Sequence, residues 1–151
     1  MSGGRDVKTA FVLAGGGSLG AVQVGMLRGL VGAGVRPDFV VGASVGAINA
    51  CYFAGQPDVA GVENLARIWL NLRRRDIFPF TFGMAFGLLF HANYLVDPSS
   101  LRRLIERHLS YVELQEAAVP VHIVATDMQG IAVTLSRGSA VEAVMASAAV
   151  P

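Results

Sequence analysis

Twice within its first fifty residues this chain runs an apolar stretch of strand length into a glycine-rich turn and resumes in a helical pattern. The passages are "FVLAGGGSLGAVQVGML" (11–27) and "FVVGASVGAINA" (39–50). "TAFVLA" (9–14) reads as a strand. "SLGAVQVGMLRGLVGAG" (18–34) then carries apolar residues at helical spacing until Gly32 and Gly34 end it, and "PDFVVGAS" (37–44) is a second buried strand. Strand, helix and strand in such a short span form a βαβ unit, which requires a parallel pair joined by a right-handed crossover.

The remaining segments continue the alternation. Helices are expected over "SVGAINACYFAG" (44–55) and "VAGVENLARIWLNLRR" (59–74). A further helix starts at Asp97 as N-cap with Pro98 in the first helical position. "VPVHIVATD" (119–127) and "IAVTLS" (131–136) are strands of a hairpin turning at Met128-Gln129-Gly130. Ser139 and Glu142 are spaced as a capping box for a last helix. The pattern predicts one α/β domain over residues 1–151, a sandwich layered around a mostly parallel sheet.

Hydrophobic residues are 53% of the chain, charged residues 15%, and the net charge is +1, so nothing calls for a nucleic-acid partner. Cys51 is the single cysteine, which excludes an internal disulfide and a cysteine metal cluster and favours a small buried side chain. No other spacing suggests a metal or a cofactor. "MSGGRDVK" lacks the basic-then-apolar order of a signal peptide, so a cytoplasmic setting is expected.

Gly15, Gly17 and Gly20 satisfy G-x-G-x-x-G between a strand and a helix, as a dinucleotide site would require. The acidic residue of such a site stands at the C-terminal end of the second strand, where it reaches the ribose. Asp38 instead precedes "FVVGAS" and lies at the opposite end, and no Lys-Ser or Lys-Thr follows the glycines to make a P-loop. The correct end of the second strand carries Gly42-Ala43-Ser44-Val45-Gly46, the G-x-S-x-G of a nucleophile elbow. A sharp strand-to-helix turn brings the residues two before and two after the serine together, where only glycine leaves room. Parallel strands end side by side, so the glycine loop is expected beside Ser44, with its N–H groups aimed at a developing oxyanion. The plainer alternative is that Ser44 caps its helix.

These two motifs, with "VATDMQG" and "AVEAVMASAAVP" further on, make the chain resemble the patatin-like phospholipases over nearly its whole length. The resemblance implies a three-layer α/β fold and a lipid acyl hydrolase that works by a Ser-Asp dyad. It assigns Ser44 as nucleophile and the amides of Gly15, Gly16 and Gly17 to the oxyanion hole, with Gly20, Gly42 and Gly46 as motif glycines. The implied partner is a lipid ester substrate. Two positions depart from the family pattern. Leu19 stands where many members have Lys or Arg, and the Asp-Gly-Gly or Asp-Gly-Ala motif that supplies the base is absent from the 151 residues. Asp127 belongs to the earlier "TD" strand end and is not assigned as base. The expectation is an incomplete domain that lacks its dyad Asp and is inactive by itself. The rival reading is a non-catalytic lipid- or nucleotide-binding module built on the same glycine loop.

His91, His108 and His122 are the other conceivable bases, each with an ordinary structural role as the simpler reading. The stretch "IFPFTFGMAFGLLFHANYLV" (77–96) has no charged residue and follows Arg73, Arg74, Arg75 and Asp76. It reads either as a buried cap or as an interfacial lid, with peripheral membrane contact through residues 73–96. Pro79, Gly83, Gly87, His91 and Asn93 argue against a spanning helix.

Overall fold

The computed structural model describes residues 7–72 and 98–149. Strand β1 (Ala10–Leu13) leads through a 3-10 turn (Gly17–Leu19) into helix α1 (Gly20–Gly32), and strand β2 (Phe39–Ala43) follows. Helices α2 (Val45–Gly55) and α3 (Val59–Asn71) come next. After the segment outside the described residues stand helix α4 (Pro98–His108), a second 3-10 turn (Leu114–Glu116), strands β3 (Val121–Thr126) and β4 (Ala132–Leu135), and helix α5 (Ala140–Ala148). The expected Asp97 cap, His91 and the 77–96 stretch lie outside the described residues.

The sheet order is β1-β2-β3-β4, with β1 and β2 parallel, β2 and β3 parallel, and β4 antiparallel to β3. This is the mixed α/β, mostly parallel sheet that the alternating pattern predicts. The hairpin closes where expected: Asp127 N–H donates to Ile131 O at 2.9 Å, and Gly130 takes φ +81°.

Strand order running in one direction places successive right-handed crossovers on the same face of the sheet. The side chains agree. Phe11, Leu13, Val40, Val121 and Ile123 point into the core with buried residues of all five helices, such as Leu27, Phe53, Leu65, Ile105 and Val144. On the other face the register aligns Val12, Val41 and His122 in one row, and Val12 is 69% exposed. The described helices therefore form one covering layer. His122 lies on the opposite face, its ring edge-on to Phe39 at 5.7 Å, and so away from the helix-covered side.

Two sequence details resolve differently from expectation. The first helix begins at Gly20, because Leu19 N–H bonds back to Gly16 O at 3.1 Å and winds the preceding residues as 3-10. The Ser139–Glu142 capping box is only half made. The Ser139 hydroxyl accepts from Glu142 N–H at 3.4 Å, but the Glu142 carboxylate turns to the Arg102 guanidinium at 2.7 and 3.1 Å and ties α5 to α4. A charged bidentate partner outcompetes one backbone amide for that carboxylate.

Candidate active site

Ser44 directly follows β2 and stands at the N-cap position of α2 with φ +53° and ψ −123°. Among the described residues it is the one non-glycine with positive φ, a conformation that an L side chain adopts only where surrounding packing enforces it. Its side chain makes no capping hydrogen bond, so the capping alternative fails and Oγ is left to project from the turn.

The packing that enforces this turn is backbone against backbone. A Cβ on Gly46 would lie 2.0 Å from Leu13 O, and one on Gly42 would lie 2.5 Å from Gly46 O. The elbow glycines thus meet each other and the end of β1, as the G-x-S-x-G spacing predicts. Val45, Gly46 and Ala47 are buried directly behind the turn.

The glycine loop lies beside the serine. A Cβ built on Gly15 would be 3.4 Å from Ser44 Cβ. Residues 14–19 are exposed, and Gly17 sits in the left-handed region at φ +55°. Among the described residues the N–H groups of Gly15, Gly16 and Gly17 have no acceptor, and neither has that of Val45 at the start of α2. Free amides next to a helix N-terminus favour negative charge. Leu19, which stands where many family members have Lys or Arg, is 64% exposed and brings no charge.

On its other side Ser44 opens onto an apolar cavity of about 280 Å³. Ile48, Tyr52, Ile68, Trp69, Leu104 and Val144 are among its walls. His108 also borders this cavity. Burial lowers its pKa first and the neighbouring Arg107 second, so its neutral form is favoured. No described carboxylate or imidazole is hydrogen-bonded to Ser44 Oγ, and Asp127 is engaged elsewhere, its Oδ1 accepting from Gln129 and Ile131 N–H in the hairpin turn. Asp38 Oδ2 accepts from Thr9 N–H at 2.6 Å, at the far end of the strands from Ser44, as its place in the sequence predicts. Cys51 is buried, and burial pushes its thiol pKa up to about 12, which makes it an inert core side chain. No group of metal-ligating side chains occurs among the described residues.

Two supports of the site carry no signal of their own in the sequence. Asn49 is completely buried and donates to Gly20 O at 3.0 Å and to Gln23 Oε1 at 2.9 Å, while accepting from Trp69 Nε1 at 2.9 Å. Gln23 in turn donates to Ala14 O at 2.6 Å, so the network reaches the root of the glycine loop. Ser147 on α5 accepts from the Ser44 N–H at 2.8 Å and donates to Val124 O at 2.5 Å.

With this geometry in place, the comparisons decide the family. The sequence pattern described as "Patatin-like phospholipase" matches residues 11–151. The chain belongs to the patatin-like phospholipase family. Human patatin-like phospholipase domain-containing protein 6 is 27% identical over 128 residues, covering 85% of this chain and 9% of that protein. Patatin-like phospholipase domain-containing protein ZK370.4 of Caenorhabditis elegans is 43% identical over 60 residues, 40% of this chain and 4% of its own length. Among solved structures, the type III effector protein ExoU aligns over 95% of this chain and 40% of its own, with TM-score 0.56 and 18% identity, which is a likeness of fold. This patatin-like chain thus spans less than a tenth of those two curated relatives. None of its described helices is long and apolar enough to cross a membrane.

Proposed function

We propose that this patatin-like domain is a serine acyl hydrolase that cleaves lipid esters, with Ser44 as nucleophile and the Gly15, Gly16 and Gly17 amides as oxyanion hole. The observation that carries the reading is the place of Ser44, held at positive φ between the exposed glycine loop and an apolar cavity. The acyl chain enters the cavity and the ester carbonyl comes to rest over Ser44, its oxygen towards the glycine loop. Ser44 Oγ bonds to the carbonyl carbon while its proton passes to a base. The tetrahedral oxyanion accepts from the loop amides, with Val45 N–H as a further donor, and each such donor is worth on the order of a hundredfold to a thousandfold in rate. The carbon–oxygen bond to the alcohol then breaks, the alcohol takes the proton, and water releases the fatty acid from the acyl-enzyme by the reverse proton path.

Among the described residues no carboxylate or imidazole is hydrogen-bonded to Ser44 Oγ to act as this base. By family resemblance it is the Asp of an Asp-Gly motif, which does not occur within the 151 residues. The apolar walls of the cavity suit the acyl chain of a lipid ester. Peripheral contact with a lipid surface through residues 73–96 belongs to the same proposal. Fatty-acid release from short- and long-chain lipid esters by the full native protein tests it. Release abolished by Ser44→Ala is expected, and release unchanged by that substitution would overturn the assignment.

A further inference from the structure

The amide of a nucleophile in a strand-to-helix turn is an unusual donor. It belongs neither to the preceding ladder nor to the following helix, and it has to be satisfied in the half-buried environment that Ser44 occupies. Here its acceptor is a side chain 103 residues away, the Ser147 hydroxyl at 2.8 Å. That hydroxyl has its own hydrogen fixed, because it donates to Val124 O at 2.5 Å. Val124 pairs in register with Ala43, the residue before the nucleophile. The three groups close a small circuit: β2 presents the Ser44 amide, α5 presents the hydroxyl, and β3 presents the carbonyl that orients it.

From this circuit we infer that Ser147 is a positioning residue for the nucleophile, an inference that rests on the reading of Ser44 given above. Its role follows from what each partner can do. With its hydrogen committed to Val124 O, the Ser147 oxygen can only accept at Ser44 N–H, so the contact has one polarity and one direction. It therefore holds the peptide plane that sets φ at Ser44, the strained angle that aims Oγ. It also withdraws the Ser44 amide from competing for the substrate's carbonyl oxygen. That oxygen is then left to the loop amides and Val45 N–H. Ser147 touches no reacting atom and acts through Ser44.

An ordinary packing serine at this place would affect stability alone, whereas a positioning serine changes the rate of bond formation at Ser44 Oγ. Misplacement of a reacting group by about 1 Å costs on the order of a hundredfold. The test uses the full native protein and follows covalent labelling of Ser44 by a fluorophosphonate, separating the maximal rate from the half-saturating concentration. Ser147→Ala is expected to slow the maximal labelling rate by tenfold to a hundredfold, with the half-saturating concentration within about twofold. Ser147→Thr, which keeps the hydroxyl, is expected to restore most of the rate. In parallel, hydrogen exchange of the Ser44 amide is expected to lose protection in Ser147→Ala and regain it in Ser147→Thr. Equal labelling rates for native protein and Ser147→Ala, or an unchanged Ser44 amide, would overturn the positioning role. If native protein and Ser44→Ala are both unlabelled, the hydrolase reading fails by itself, and the exchange measurement still decides whether Ser147 holds the Ser44 amide.

Discussion

Replacing Asn49 by leucine isolates the polar network behind the site, because leucine keeps about the same volume and removes every hydrogen bond. Three bonds disappear, those to Gly20 O, Gln23 Oε1 and Trp69 Nε1. A typical buried hydrogen bond contributes about 1 kcal/mol net, so the bonds together account for roughly 3 kcal/mol. The losses are unequal. Gly20 O keeps its place in the α1 ladder, and half-buried Gln23 can turn to water. The indole N–H of Trp69, which points at Asn49, then meets the leucine side chain and is left without an acceptor, at about 1–3 kcal/mol. The expected destabilisation is about 3–4 kcal/mol, a large share of the 5–15 kcal/mol typical of a domain. In urea, with a slope of about 2 kcal/mol/M, the midpoint moves down by roughly 1.5–2 M at constant slope. A double-mutant cycle sharpens the test. In a Trp69→Phe background no indole donor is stranded, so the cost of Asn49→Leu falls by about 1–2 kcal/mol. A cost below 1 kcal/mol, or strict additivity with Trp69→Phe, would refute the network as a determinant of the core.

Cys51, with its thiol at about 12, is expected to be inert to a disulfide reagent at pH 8 in the native chain, since only about one molecule in ten thousand carries the thiolate, and to react fully in urea. His108 has its pKa lowered below the ordinary 6.5, by burial and then by Arg107. The unfolded chain therefore binds its proton first, and stability falls as pH drops through 6.5. Urea midpoints between pH 8 and 5 are expected to decline less in His108→Gln than in the native protein. Gly46→Ala is expected to prevent folding or cost several kcal/mol, because its Cβ would meet Leu13 O at 2.0 Å. Gly29→Ala in α1, with open space around the new methyl, is expected to stabilise by about 0.5–1 kcal/mol in the same assay.

Much of the backbone geometry of the candidate site was legible in the sequence because it is encoded locally. Two strand–turn–helix junctions with glycines at fixed offsets leave few ways to place Ser44, and the parallel pairing that follows from a βαβ unit sets the loop beside it. Asp38 could be discounted as a ribose ligand by the end of the strand it occupies, and it indeed binds Thr9 there. What stayed illegible depends on contacts between distant segments. Asn49 is a helical asparagine with no local mark of complete burial, and its partner Trp69 lies on another helix. Ser147 reads as one more small residue in a small-residue helix, and only the packing of α5 on β3 brings it to Ser44. Glu142 follows a local capping rule in the sequence, yet Arg102, 40 residues earlier, takes its carboxylate. The apolar cavity is likewise a product of α2, α3, α4 and α5 meeting over the elbow, which no single segment announces.

Mapping the site of a covalent adduct decides whether Ser44 is the nucleophile of this patatin-like domain. The full native protein is treated with a fluorophosphonate, digested, and its peptides sequenced by mass spectrometry. One adduct is expected, on Ser44, absent from Ser44→Ala and slowed when the cavity is filled by Ile48→Trp. An adduct on another serine with Ser44 untouched would contradict that assignment.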